Sequence, residues 1–157
     1  MTETLATLFR ELLDGPPKDM CFVLNPGDAG LLRSLDGLSA AEASTIPPGH
    51  SSSVAAHVDH VRYGFSLLNR WRPDVNPFAD ADFSASWKRT TVNEQEWTTL
   101  RAELRRECEA WSRTLTMDLP DDEIIRLGVA GSVVHLAYHL GAIRQIAPQL
   151  AGPPAND

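Results

Sequence analysis

Four of the five histidines in this 157-residue chain fall at helix-face spacing: His57 and His60, three residues apart, and His135 and His139, four apart. Side chains four apart on a helix project from one face, and those three apart nearly do. His135 and His139 can therefore offer two imidazoles to one ion, with a third supplied from another helix. His60 is the better candidate of the earlier pair, because it stacks on the side of its helix that carries Val61 and Leu68. His57 shares enough of that face to stay open as an alternative. Three imidazoles and a water suit a divalent transition ion such as zinc or nickel, with the water position open to a substrate. Such an ion acts as a Lewis acid and lowers the pKa of its water. The competing assignment is a set of core or cleft histidines satisfied by backbone or carboxylate partners. The apolar run Val133-Val134-His135-Leu136-Ala137-Tyr138-His139-Leu140 favours the metal, since a polar ring in such surroundings needs a partner.

Around these four, Asp59 and Tyr138 are candidates to support the ligands from behind, against ordinary structural roles. His50, in a loop with Pro47, Pro48 and Gly49, could approach the mouth of the site. Arg62 and Arg144 are expected to face solvent, with a place on the pocket rim, attracting an anionic substrate, as the alternative. Residue 136 is Leu, so the His-Glu-x2-His base of a common zinc protease is missing. There is also no Gly-rich phosphate loop, no Gly-x-Ser-x-Gly elbow and no acidic cluster of the two-metal kind. Cys21 and Cys108 are too few and too separated for a disulfide scaffold; both are expected to be reduced, and Cys21 to be an inert buried thiol rather than a nucleophile.

The elements that must place the histidines are helical. Leu5, Leu8, Phe9, Leu12 and Leu13 define a short accessory helix over residues 4–13, stopped by Gly15-Pro16-Pro17. Asn25-Pro26 reads as an N-cap with proline at the first helical position, opening a run through Leu31, Leu32, Leu35 and Leu38. After Pro47-Pro48-Gly49, one of Ser51, Ser52 and Ser53 caps a strong helix over residues 54–71, with Val54, Val58, Val61, Phe65, Leu68 and Trp71 at spacings of three and four. Residues 72–91 have no sustained period and read as a long crossover, pinned by Phe78, Phe83 and Trp87. Asn93 and Glu96 then form a capping box for a helix carrying Trp97, Leu100, Leu104, Cys108, Trp111 and Leu115. The last helix ends near Ile146 and starts at Glu123 or, if Gly128 and Gly131 interrupt it, at Ser132. Its apolarity around most of its circumference predicts burial. The fold class is all-α: a four-helix bundle with a short accessory N-terminal helix and a long crossover.

Composition agrees with one domain over residues 1–157. Hydrophobic residues make up 43% and charged residues 22%, which leaves neither disorder nor a fibrous repeat. A formal net charge of -7 offers nucleic acid no basic footprint. Residues 1–10 lack a basic start followed by an apolar core, and no stretch approaches the roughly 20 apolar residues of a membrane span. A cytoplasmic protein with no membrane partner is expected.

The order of several segments resembles the DinB-like, or DinB/YfiT, superfamily of metal-dependent helical-bundle proteins. They are Leu24-Asn25-Pro26-Gly27-Asp28-Ala29-Gly30-Leu31-Leu32, His57-Val58-Asp59-His60 through Leu68-Asn69-Arg70-Trp71, Ser86-Trp87, and His135-Leu136-Ala137-Tyr138-His139-Leu140-Gly141-Ala142-Ile143-Arg144-Gln145. The last is the most specific. The resemblance implies a four-helix bundle, a homodimer, and a nickel or zinc site on His60, His135 and His139. His57 is then an additional pocket or packing residue, and Asp59, Tyr138 and Arg144 stay the other candidates for the pocket from their place in the sequence. It also implies chemistry on a low-molecular-weight thiol, such as bacillithiol or mycothiol, with an electrophile. A metal-dependent hydrolase and a noncatalytic, metal-stabilised stress-response or interaction domain are the alternatives.

Overall fold

In the computed structural model, which describes residues 2–18, 20–72 and 74–154, the fold is all-helical: a bundle of helices with a long crossover and, among the described residues, no sheet. The helices are α1 (Thr2–Asp14), α2 (Gly30–Asp36), α3 (Ala40–Ala43), α4 (Val54–Arg70), α5 (Glu94–Thr114) and α6 (Glu123–Ile146). Pro73, assigned to the crossover from sequence, lies outside the described residues. The chain divides into two compact units: Met1–Gly37 with Ser112–Asp157, and Leu38–Trp111.

In the first unit α1 packs on α2 and on α6, burying Phe9, Leu12 and Leu13. At 13 residues α1 is longer than the accessory helix expected, whereas α2 has only seven. The helix expected to start at Asn25-Pro26 begins instead at Gly30. Two sets of hydrogen bonds hold residues 22–28 out of a helix. The buried Glu11 carboxylate accepts the backbone N–H groups of Phe22, Val23 and Leu24 at 2.8–3.1 Å, and Asn25 closes a turn by accepting from the Asp28 N–H at 3.0 Å. Gly15 and Gly30 both have positive φ, and a Cβ on Gly30 would stand 2.4 Å from the Gly15 nitrogen. Only glycine permits that approach.

The last helix begins at Glu123, capped by Asp122, whose carboxylate accepts from the N–H groups of Ile124 and Ile125. Gly128 and Gly131 do not interrupt it. Uniform burial does not hold: Val129, Val133, Leu136, Leu140 and Ile143 are buried, while Ile124, Leu127, Val134 and Tyr138 are 62–68% exposed along the opposite stripe. By length and composition alone α6 could cross a membrane, and a third of its most apolar window is buried. Its inner face packs on α1.

In the second unit Ser53 caps α4 by accepting from the Ala56 N–H, and its own hydroxyl donates to the Thr90 carbonyl at 2.7 Å. The Asn93–Glu96 capping box forms as expected. Trp97, Leu100, Leu104, Cys108 and Trp111 on α5 are buried. The Trp97 indole N–H donates to the Leu38 carbonyl at 2.7 Å, which satisfies the polar end of a fully buried ring. Asn69, near the end of α4, donates from its amide to the Glu107 carbonyl and carboxylate, both at 2.9 Å.

Candidate metal centre

On α6, His135 and His139 are one turn apart, and their Nε2 atoms approach to 3.0 Å with the rings edge to face. His139 is buried at 2% exposure. Burial also holds the His135 imidazole below its ordinary pKa, so the ring is biased toward the neutral form that carries a free lone pair. The exposed Tyr138 sets its ring 5.0 Å from that of His139.

On α4, His60 is held from the crossover. Its Nδ1 lies 2.9 Å from the hydroxyl oxygen of Ser86. The Ser86 hydroxyl donates to the Phe83 carbonyl at 2.7 Å, so its single proton is committed and its oxygen accepts from His60. Nδ1 is thereby the protonated nitrogen, and Nε2 keeps the lone pair that a metal needs. The indole of Trp87 stacks on the His60 ring at 4.4 Å and 25°, fixing its plane. Trp87 was expected only to pin the crossover; it does so on the ligand itself. The Ser86 contact had no signal in spacing, because it comes 26 residues later in a segment without helical period.

Ligand nitrogens of His60, His135 and His139 all lie within 4.8 Å of one another. The donor set fits a divalent ion. Two imidazole nitrogens bonded at about 2.0–2.1 Å to a tetrahedral ion are separated by about 3.3 Å, close to the 3.0 Å between His135 and His139. The result is a buried three-histidine cluster capable of coordinating a metal ion. His57 is not one of the three. It is buried, with its ring edge on the Trp87 indole at 5.0 Å, and desolvation, followed by the nearby His50, holds its pKa below the ordinary value.

The other residues singled out from sequence are placed as follows. Asp59 is buried and accepts from Arg62 at 2.8 Å, with Arg89 3.5 Å from its second oxygen. Arg62, expected at the surface, is mostly covered in that pair and also reaches Glu103 at 3.7 Å. Arg144 likewise turns inward and donates to the buried carboxylate of Asp28 at 2.7 Å. His50 is exposed. Cys21 is an exposed free thiol rather than the buried one expected, in a run with the exposed Met20, Phe22 and Val23, while Cys108 is buried.

The family model described as the DinB superfamily matches residues 28–143, well over half the chain. The matched span contains all three clustered histidines, and the chain belongs to the DinB superfamily. No curated protein and no solved structure matches it.

Proposed function

We propose that this chain is an enzyme that uses a nickel or zinc ion on His60, His135 and His139 to transfer a low-molecular-weight thiol to an electrophile. The observation that carries it is the convergence of three ligand nitrogens within 4.8 Å, which leaves a tetrahedral ion one position for a substrate. A bound ion supplies Lewis acidity there, favouring thiolate over thiol at neutral pH. The chain's part is to prepare its imidazoles for the ion: Ser86 and Trp87 fix the orientation of His60, and desolvation favours the neutral form of His135. Thiol transfer is the chemistry that the family resemblance implies, and hydrolysis by an ion-bound water is the alternative at the same open position. Asp59, beside His60 in the chain, is engaged by Arg62 and Arg89.

The homodimer implied by the family resemblance would form through the exposed α6 stripe of Ile124, Leu127, Val134 and Tyr138.

The test is elemental analysis of protein purified without added metal, followed by zinc and nickel titration, with about one equivalent per chain expected. His60→Ala, His135→Ala and His139→Ala should each lose retention. The loaded protein is then offered several cellular thiols with an aryl halide, and metal-dependent thioether formation is expected, the carbon–halogen bond breaking with release of halide and the thiol proton going to solvent. Absence of stoichiometric metal binding defeats the enzymatic reading altogether; metal binding without any conjugation defeats thiol transfer.

A further inference from the structure

Phe83 is a large apolar side chain left 40% exposed beside a metal ligand. Its ring centroid is 5.9 Å from that of His60, and the ring of Tyr63 meets it edge to face at 5.7 Å. A single exposed phenylalanine is ordinary on a protein surface. This one is fixed from both sides. The Tyr63 hydroxyl oxygen accepts the N–H of the preceding residue, Asp82, at 3.1 Å, and the Phe83 carbonyl accepts the Ser86 hydroxyl that orients His60. The carboxylate of Asp82 also accepts from Ser84 and from the Ala85 N–H, which makes the turn around residue 83 rigid. The same hydrogen bonds that orient the ligand thus hold an apolar ring at its side, with part of that ring open to solvent.

Resting on the metal reading above, we propose that Phe83, buttressed by Tyr63, is a specificity-determining residue that receives a planar aromatic group of the substrate handled at His60. Aromatic rings pair at centroid separations of about 4.5–7 Å, in offset-stacked or edge-to-face geometry. A substrate ring on the open side of Phe83 would meet a wall already fixed in place, so little ordering entropy is lost on contact. The substrate class is therefore a small electrophile or thiol conjugate bearing an aromatic ring, rather than a purely aliphatic one.

The experiment uses the zinc-loaded full-length chain and three metal-binding probes that differ only in their side group: acetohydroxamate, benzohydroxamate and cyclohexanecarbohydroxamate. Calorimetric titration should give benzohydroxamate an advantage over acetohydroxamate of about three- to tenfold, the range expected for one aromatic pair. The saturated ring should gain clearly less. Phe83→Ala and Phe83→Leu should remove most of the aromatic advantage, read as the benzo-to-aceto affinity ratio of the zinc-loaded variant itself; Phe83→Tyr should keep it. The leucine variant retains apolar bulk and guards against a folding artefact. A benzo-to-aceto ratio unchanged by Phe83→Ala and Phe83→Leu, or equal binding of the saturated ring, overturns the proposal while leaving the metal site standing. Failure to load zinc removes the metal reading, and this proposal with it.

Discussion

His60 Nδ1 lies 2.9 Å from Ser86 Oγ, and because the serine proton is directed to the Phe83 carbonyl, the histidine is the donor. A residue of the crossover thus fixes the tautomer of a residue on α4 and leaves the lone pair on its other ring nitrogen, Nε2.

Ser86→Ala removes that acceptor and leaves a buried Nδ1–H to find another. Loss of such a partner typically weakens metal affinity about 10- to 100-fold. Competition with a chromophoric chelator should show a weakening in that range, with Ser86→Thr recovering most of it. Unchanged affinity in the alanine variant would mean that Ser86 does not set the tautomer.

The ion-free protein should lose stability as the solution is acidified. His57 and His135 are both held below the ordinary imidazole value of 6.5, chiefly by burial. Between their folded values and 6.5 the unfolded chain binds more protons than the folded one. The unfolding free energy therefore rises with pH through that window and levels off above it. Urea midpoints measured in chelator at about pH 5 and about pH 7.5 should differ in that direction, and His57→Asn with His135→Asn should flatten the difference. A midpoint higher at the acid end would contradict the burial of these rings.

The Asp28–Arg144 pair should matter to folding. Asp28 is almost fully buried and also accepts the Gly30 N–H at 2.8 Å, while Gly152 packs so closely that a Cβ there would stand 2.0 Å from the carboxylate. Asp28→Ala leaves the arginine charge largely covered without its partner, a defect that costs about 3 kcal/mol. Denaturation of the single and double variants should show the double losing less than the sum of the two singles. Additive losses would place the two side chains in independent roles.

Much of the helical framework was legible in the sequence because helix signals are local. A serine cap from residues 51–53, which the structure assigns to Ser53, the Asn93–Glu96 box and the spacings along α4 and α5 depend on residues within a turn or two of each other, and each appears in the structure. The start of α2 was misjudged because a remote carboxylate, Glu11, holds residues 22–24 in another conformation. The exposed stripe of α6 was misjudged because apolar composition does not say how many faces of a helix have neighbours.

By itself, the sequence determined that the chain is helical and that His135 and His139 share a face, since a period of 3.6 residues dictates which side chains lie together. The tertiary structure decided the rest of the site. His57 and His60 are nearly equivalent by spacing, and only the fold brings nitrogens of His60, His135 and His139 within 4.8 Å while setting the His57 ring edge-on to Trp87. Ligand orientation likewise depends on Ser86 and Trp87, residues from a segment with no period to betray their role. Helical repeats encode direction over a few residues; which distant partner a side chain meets is set by packing, and the chemistry of this site depends on both.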